Sequence, residues 1–332
     1  MKRKLLSVVI AAYNMEQFIE ETLESLVCEE VTERLEVLVI DDGSTDGTAK
    51  KVEKYVNQYP DSFVLIRKKN GGWGSVLNYG IEIARGKYFK TLDADDWLQT
   101  KNLAQFVSLL DEVECDMILN PYYEVNSLQK KFAIGNREDY GTLGDISGFG
   151  ELSEDFGLYM HSMTFRTELI KGLRVTEHCF YTDLEYIVKA VNRCESIRFS
   201  PVPVYCYRVG REGQSISYEG LGKHYHDSLR VMKELTRFYK SEVEEESKKR
   251  IIRHAICELA RRQYENFIFA GSDERIKQEI KKYDRWLKSE FPEGYLYLVS
   301  RKIRFLRKTK FRGYRLVAEY YRKKKGLYVI KK

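Results

Sequence analysis

The chain has 332 residues, is 43% hydrophobic and 32% charged, and carries a formal net charge of +6 with only 5 Pro. That composition fits a globular protein with a substantial core and excludes long disordered stretches. No apolar run approaches the ~18 residues a spanning helix needs, so no membrane-crossing helix is expected.

Met1-Lys2-Arg3-Lys4 and the apolar residues 5–12 imitate a signal peptide. The run is short, and Tyr13-Asn14-Met15-Glu16 follows at once, so a buried first strand over 5–10 is the better reading. Asn14 with Gln17 reads as a capping-box start. The helix it opens carries Phe18, Ile19, Thr22, Leu23, Leu26 and Val27 at helical period. Residues 35–40 form a second strand. Ala49, Val52, Val56 and Tyr59 mark a helix, and 63–66 a third strand. The Gly-rich turn Asn70-Gly71-Gly72-Trp73-Gly74 opens a helix through Val76, Leu77, Ile81 and Ala84, with Gly86 as its C-cap. Residues 88–92 form a strand that runs into Asp93. A helix over 103–110 and a strand over 117–119 follow. Repeated strand–helix units predict an α/β fold, a mostly parallel sheet with helices on both faces.

Residues 121–175 show little periodicity, and 135–157 are rich in Gly and polar residues, as loops over a site would be. A helix starts near Asp183, with Leu184, Ile187, Val188 and Val191 on one face. Beyond 221 the chain reads as helical and charged. The expected division is therefore a catalytic domain over 1–220 and a helical extension with a basic tail over 221–332.

Residues 301–332 hold fourteen Lys or Arg and one acid, Glu319, so the tail carries +13 and the remainder −7. An anionic partner is expected for it, such as a membrane surface. Nucleic acid is not expected, because no helix-turn-helix, RRM or zinc pattern accompanies the charge. A solvated helix face would also explain it. The six Cys form no C-x-x-C pair and sit in apolar contexts, which fits a reduced, cytoplasmic setting. The five His show no metal-ligand spacing.

Two acidic motifs carry the chemistry. Asp41-Asp42-Gly43-Ser44 follows the second strand, where a ligand would bind a parallel sheet. A turn with capping by Ser44 or Asp46 is the plainer alternative. Asp93-Ala94-Asp95-Asp96 follows the strand over 88–92. Three acids in four residues repel unless a cation compensates, and carboxylates suit Mg2+ or Mn2+. Asp93, Asp95 and Asp96 are the candidate metal ligands. The Gly71-Gly72 turn lacks both the P-loop and the dinucleotide fingerprint.

The run from Ser7 to Asn14, then Asp41-Asp42-Gly43-Ser44, then 70–78, then Leu92-Asp93-Ala94-Asp95-Asp96-Trp97, resembles the family-2 glycosyltransferases of GT-A fold. Order and spacing match across about the first 100 residues. The resemblance implies an inverting transferase with a nucleotide-diphospho-sugar donor, UDP by default, and a glycan or lipid-linked acceptor. It implies donor contacts from Ala12, Tyr13, Asn14, Asp41, Asp42, Asn70, Gly72, Asn78, Asp93, Ala94 and Asp95, with Tyr13 or its neighbours on the base. Arg208 or Arg211, in a stretch that resembles the one closing over the donor in this family, would balance diphosphate charge; surface ion pairs are the plainer alternative. Asp183 matches the family's catalytic base. As a plain helix start it would instead belong to a capping box of Thr182 and Glu185.

Two departures stand out. Leu77 stands where the family often has Arg, and Thr182 where it has Glu. Three other classes stay open on sequence: a sugar-nucleotidyltransferase, a donor-binding protein without turnover, and a nucleic-acid binder using the tail. A transferase would sit at the inner face of the cell membrane, held peripherally by its basic, aromatic tail.

Overall fold

Strand β1 (Leu6–Ala12) lies at the middle of the fold, flanked by β2 (Leu35–Asp41) and β4 (Tyr88–Asp93), both parallel to it. Each is buried almost from end to end, including polar Ser7, Glu36, Lys90 and Thr91 among the apolar residues. The computed structural model describes residues 3–126, 131–135, 146–210, 213–297 and 300–327. Within it the chain forms two compact units, Met1–Gly210 and Arg211–Lys332.

The first unit alternates strand and helix as expected. After β1 come α1 (Ile19–Glu24), β2, α2 (Thr48–Gln58), β3 (Phe63–Arg67), α3 (Trp73–Ile83), β4, β5 (Trp97–Leu98) and α4 (Thr100–Glu112). Then follow β6 (Met117–Leu119), β7 (Tyr122–Asn126), β8 (Lys131–Gly135), β9 (Ile146–Ser147), β10 (Met163–Arg166), α5 (Thr167–Ile170), α6 (Asp183–Arg193), β11 (Ile197–Phe199) and β12 (Tyr205–Val209). The main sheet has the order β3-β2-β1-β4-β10-β6-β11-β9, and β5-β12-β7-β8 form a second sheet. Strand β10 runs antiparallel to both β4 and β6, an inversion the helix–strand alternation does not announce. Gly86 is not the C-cap of α3, which ends at Ile83 with Ala84 as its cap. Its N–H donates to the Ser7 hydroxyl, and a side chain there would collide with β1.

The second unit contains α7 (Tyr218–Lys223), α8 (Tyr225–Glu242), α9 (Glu246–Ala270), α10 (Glu274–Glu290), α11 (Pro292–Tyr297), α12 (Arg301–Lys308) and α13 (Tyr314–Lys324). The long α9 is its axis, burying Ile251, Ile252, Ile256, Ala260, Tyr264, Phe267 and Ile268. Buried aromatic hydroxyls dock the later helices on it. Tyr283 donates to the Ala260 carbonyl at 2.9 Å, and Tyr314 lies 2.8 Å from the carbonyls of Phe267 and Gly271. All six Cys are buried free thiols. Among the described residues no helix is long and apolar enough to cross a membrane.

Candidate active site

Strand register assembles the acidic motifs. Ala12 pairs with Asp41 across β1 and β2, and Ala11 with Asp93 across β1 and β4. The three strands are parallel, so the loops after them leave from one edge. That carboxyl edge is where open parallel sheets bind ligands.

Asn14 does not open a capping box. Helix α1 begins at Ile19, and its N-cap, Phe18, makes no side-chain cap. Asn14 sits instead at positive φ (53°), with its side-chain oxygen accepting the Thr45 N–H at 2.8 Å. Its own N–H donates to the Ser44 hydroxyl at 3.0 Å. It thus ties the loop after β1 to the loop after β2. Tyr13 stands beside it, 47% exposed. Ala12 is buried, and its carbonyl accepts the Asp42 N–H.

The paired acids differ in their surroundings. Asp41 accepts the Ser44 N–H on one oxygen at 2.8 Å. Asp42 accepts the N–H groups of Gly71 (2.9 Å) and Gly72 (2.7 Å) and pairs with the Lys68 ammonium at 2.7 Å. Its carboxylate therefore shapes the glycine turn, in which Gly72 takes φ 79° and Asn70 is exposed. Lys68 was not singled out by sequence, because a lone Lys after a strand carries no pattern.

Helix α3 reaches across to the segment that leads into α6. Asn78 accepts the Val175 N–H at 2.9 Å and donates to the Val175 carbonyl and the Glu177 carboxylate, both at 3.0 Å. Its amide is spent inside the chain. A Cβ on Gly74 would overlap the Thr176 carbonyl, so this close approach needs glycine. The His178 N–H donates to the Gly71 carbonyl at 2.7 Å. Leu77 is buried in α3.

The acid turn is held from four sides. Thr22 of α1 donates toward the carbonyls of Ala94 (3.0 Å) and Asp96 (2.7 Å). Trp73 Nε1 donates to Asp93 Oδ1 at 3.1 Å. Tyr205 donates its hydroxyl to Asp96 Oδ2 at 2.7 Å, and the Arg208 N–H meets Asp96 Oδ1 at 2.7 Å. The Arg208 guanidinium lies over Trp97, donates to the Asp95 carbonyl at 2.8 Å and pairs with Glu21 at 2.5 Å. Trp73 and Trp97, which flank the acids in sequence, thus both support them. Thr22, Tyr205 and Glu21 escape sequence reasoning, since they look like ordinary helix and strand residues. Arg211 lies outside the described residues.

Ligand oxygens of Asp93, Asp95 and Asp96 lie within 4.8 Å of one another. Burial, then Asp93 and Asp95, push the Asp96 carboxyl well above the usual carboxylate range. A hard divalent cation fits this donor set, since it supplies the charge the cluster lacks. Asp93 and Asp95 are the more accessible pair, while Asp96 is buried behind them.

Asp183 is exposed at the first position of α6. The capping box of Thr182 and Glu185 is not formed. Thr182 makes no side-chain cap, and its buried hydroxyl has no hydrogen-bond partner among the described residues. Glu185 accepts the Thr176 N–H and pairs with Lys189 at 2.8 Å. Tyr207 is half-buried. Burial raises its hydroxyl pKa, and Asp96, Asp93, Asp183 and Asp95 add to the rise in that order. His161 stacks on Tyr207 at 4.1 Å, and burial, then Lys90, pushes its pKa down to about 3, so the ring stays neutral.

A mostly parallel sheet with clustered acids and a glycine turn at its carboxyl edge fits the GT-A fold. Residues 7–171 match the family described as glycosyl transferase family 2. The chain belongs to that family and is a glycosyltransferase. It is 28% identical over 220 residues to the uncharacterized glycosyltransferase MG025 homolog of Mycoplasma pneumoniae, covering 64% of this chain and 70% of that protein. It is 25% identical to TarS, a poly(ribitol-phosphate) beta-N-acetylglucosaminyltransferase of Staphylococcus aureus, covering 95% of this chain but only 55% of that protein. The crystal structure of S. aureus TarS 1–349 with UDP superposes at TM-score 0.68 and 22% identity, over 96% of this chain and 91% of that one. A mannosyltransferase from Pyrobaculum calidifontis, solved with GDP-Man and Mn2+, superposes at TM-score 0.55 and 16% identity, over 96% and 87%.

Proposed function

We infer that the enzyme transfers a sugar, with inversion, from a nucleoside diphosphate donor to a hydroxyl of a glycan or lipid-linked acceptor. The observation that carries this reading is the acid turn 93–96 at the sheet's carboxyl edge. UDP is the expected nucleotide, supported by the UDP bound in the TarS structure. The mannosyltransferase, solved with GDP-Man, keeps GDP in the test.

Tyr13 offers a ring for the base, beside Ala12 and Asn14. Asp41 offers its second carboxylate oxygen to base or ribose. Asp42 serves the donor through the glycine turn, shaping Asn70 and Gly72 around it. Asp93 and Asp95, with Ala94 between them, would hold the ribose and a divalent cation, Mn2+ or Mg2+, with the buried Asp96 supporting them. That cation would neutralise the leaving diphosphate. Arg208 holds the turn in shape by binding the Asp95 carbonyl. Asp183 takes the acceptor hydroxyl proton. The acceptor oxygen then bonds to the anomeric carbon as the bond from that carbon to the diphosphate oxygen breaks. Nucleoside diphosphate leaves from the opposite face, and the proton remains on Asp183.

The test is a donor screen with UDP-, GDP- and TDP-sugars and Mn2+ or Mg2+, reading released nucleoside diphosphate, with Asp95→Ala as control. Metal-dependent release that the control loses is expected. Release of pyrophosphate would instead mean nucleotidyl transfer. No release together with no calorimetric donor binding would overturn the reading.

A further inference from the structure

Helices α12 and α13 each bury one face on the second unit and expose the other. In α12, Ile303 and Leu306 are buried, while Arg301, Arg304, Phe305 and Lys308 are exposed. Arg307 fixes the buried side, pairing with Asp284 at 2.8 Å and lying over the Tyr295 ring. In α13, Tyr314 and Ala318 are buried four residues apart. Leu316 and Tyr320, also four apart, lie on the opposite side and are 72% and 60% exposed.

These outer faces join. A Cβ at Gly313 would sit 2.5 Å from Phe305 Cε1, so the Phe305 ring covers the start of α13. Gly313, Leu316 and Tyr320 follow at helical spacing, continuing the stripe from Phe305 along α13. Exposed Arg301, Arg304, Lys308, Arg315 and Lys323 lie on the same two helices, and exposed Arg312 lies in the turn between them. The only acid among residues 301–332 is Glu319, which pairs with Arg315 at 2.7 Å.

We propose that this stripe, Phe305, Leu316 and Tyr320, together with the exposed cations of the same helices, docks the protein on an anionic lipid bilayer. Each half of the feature calls for one half of such a surface. The cations meet lipid phosphates, and the apolar side chains enter the boundary between headgroups and acyl chains. Nucleic acid would satisfy the cations but not Leu316, an aliphatic side chain with no ring to stack on a base. Monomeric surfaces expose single apolar residues without consequence, but not an aligned set on two helices that also expose Arg301, Arg304, Lys308, Arg315 and Lys323. Docking does not depend on the transfer reading.

The full-length protein is mixed with vesicles of phosphatidylcholine alone and of phosphatidylcholine with phosphatidylglycerol, and co-sedimentation is measured. Preferential partitioning onto the anionic vesicles, weakened by salt, is expected. The triple variant Phe305→Ser, Leu316→Ser, Tyr320→Ser should lose roughly tenfold or more of that partitioning, since its cations remain but its apolar contact does not. All three residues are exposed, and an unchanged melting temperature establishes that the variant folds. Leu316→Trp should show an emission blue shift, beyond the wild-type signal, only with anionic vesicles. Donor hydrolysis in the same triple variant should match wild type, which separates this test from that of the catalytic reading. The proposal fails if the protein ignores anionic vesicles or the triple variant binds them equally well. It also fails if the substitutions alter self-association or oligonucleotide binding instead.

Discussion

Tyr205 donates its hydroxyl to the Asp96 carboxylate at 2.7 Å, and the same oxygen accepts the Asp93 N–H at 3.2 Å. One buried phenol thus spans both ends of the acid turn. Strand β12 supplies the phenol from the second sheet, so the metal-facing turn depends on chain more than a hundred residues downstream. Removing the hydroxyl leaves Asp96 short of a donor in a buried place. Tyr205→Phe should destabilise the protein by about 1–3 kcal/mol, measured by urea unfolding. It should also raise the Mn2+ or Mg2+ concentration needed for half-maximal donor hydrolysis. Unchanged metal dependence would mean that the turn keeps its shape without Tyr205.

Asn78 gives a sharper distinction between binding and positioning. Its amide is used up on Val175 and Glu177, on the segment leading to Asp183. Asn78→Leu should cost about 2–4 kcal/mol of stability, because two buried backbone groups lose partners. Acceptor turnover should fall while calorimetric donor affinity changes little. A large loss of donor affinity with normal turnover at saturation would instead return Asn78 to the donor pocket.

Asp183 is the test of the reaction itself. Asp183→Asn keeps the shape at the start of α6 but removes the proton acceptor. Turnover with acceptor should drop by roughly 10²–10⁴-fold, the usual worth of a positioned general base. Donor binding should persist, because the acid turn is untouched. A variant that kept its turnover would send the search for the base to another residue.

The first half of the fold was legible because it is written locally. Strands buried on both faces read as apolar runs, so residues 35–40 and 117–119 predicted β2 and β6 nearly residue for residue. The acid turn was legible for a similar reason: like charges packed after an apolar strand need an explanation. What stayed hidden depends on distant pairing. Strand β10 enters the sheet antiparallel, a direction four residues cannot encode. Asn14 has the chemistry of a cap, yet the loop of Thr45 outcompetes the helix for its side chain. Thr182 and Glu185 have capping-box spacing, but Lys189 and the Thr176 N–H hold the glutamate. Capping motifs fail here where a tertiary partner offers the same hydrogen bond.

Lys90 provides a pH test beneath the site. It is fully buried in β4, and its ammonium lies 2.9 Å from the His161 carbonyl and 3.0 Å from that of Met163. Desolvation lowers its pKa from 10.5 to about 7. A neutral amine has two N–H groups for these two carbonyls, so losing the proton costs it no hydrogen bond. The unfolded chain holds the extra proton up to about pH 10.5, and the folded chain releases it near pH 7. Between those values the unfolded state binds more protons, so stability rises with pH. Below about pH 7 both states are protonated, and the full penalty of burying the charge remains. Lys90→Met has no such dependence. The stability of wild type minus that of Lys90→Met should therefore climb from pH 7 to 10.5, by on the order of 4 kcal/mol. Other titrating groups cancel in the difference, and the variant's packing and hydrogen-bond changes add only a constant offset. A flat difference in denaturant unfolding across that window would mean that Lys90 stays charged in the fold, with its third N–H satisfied.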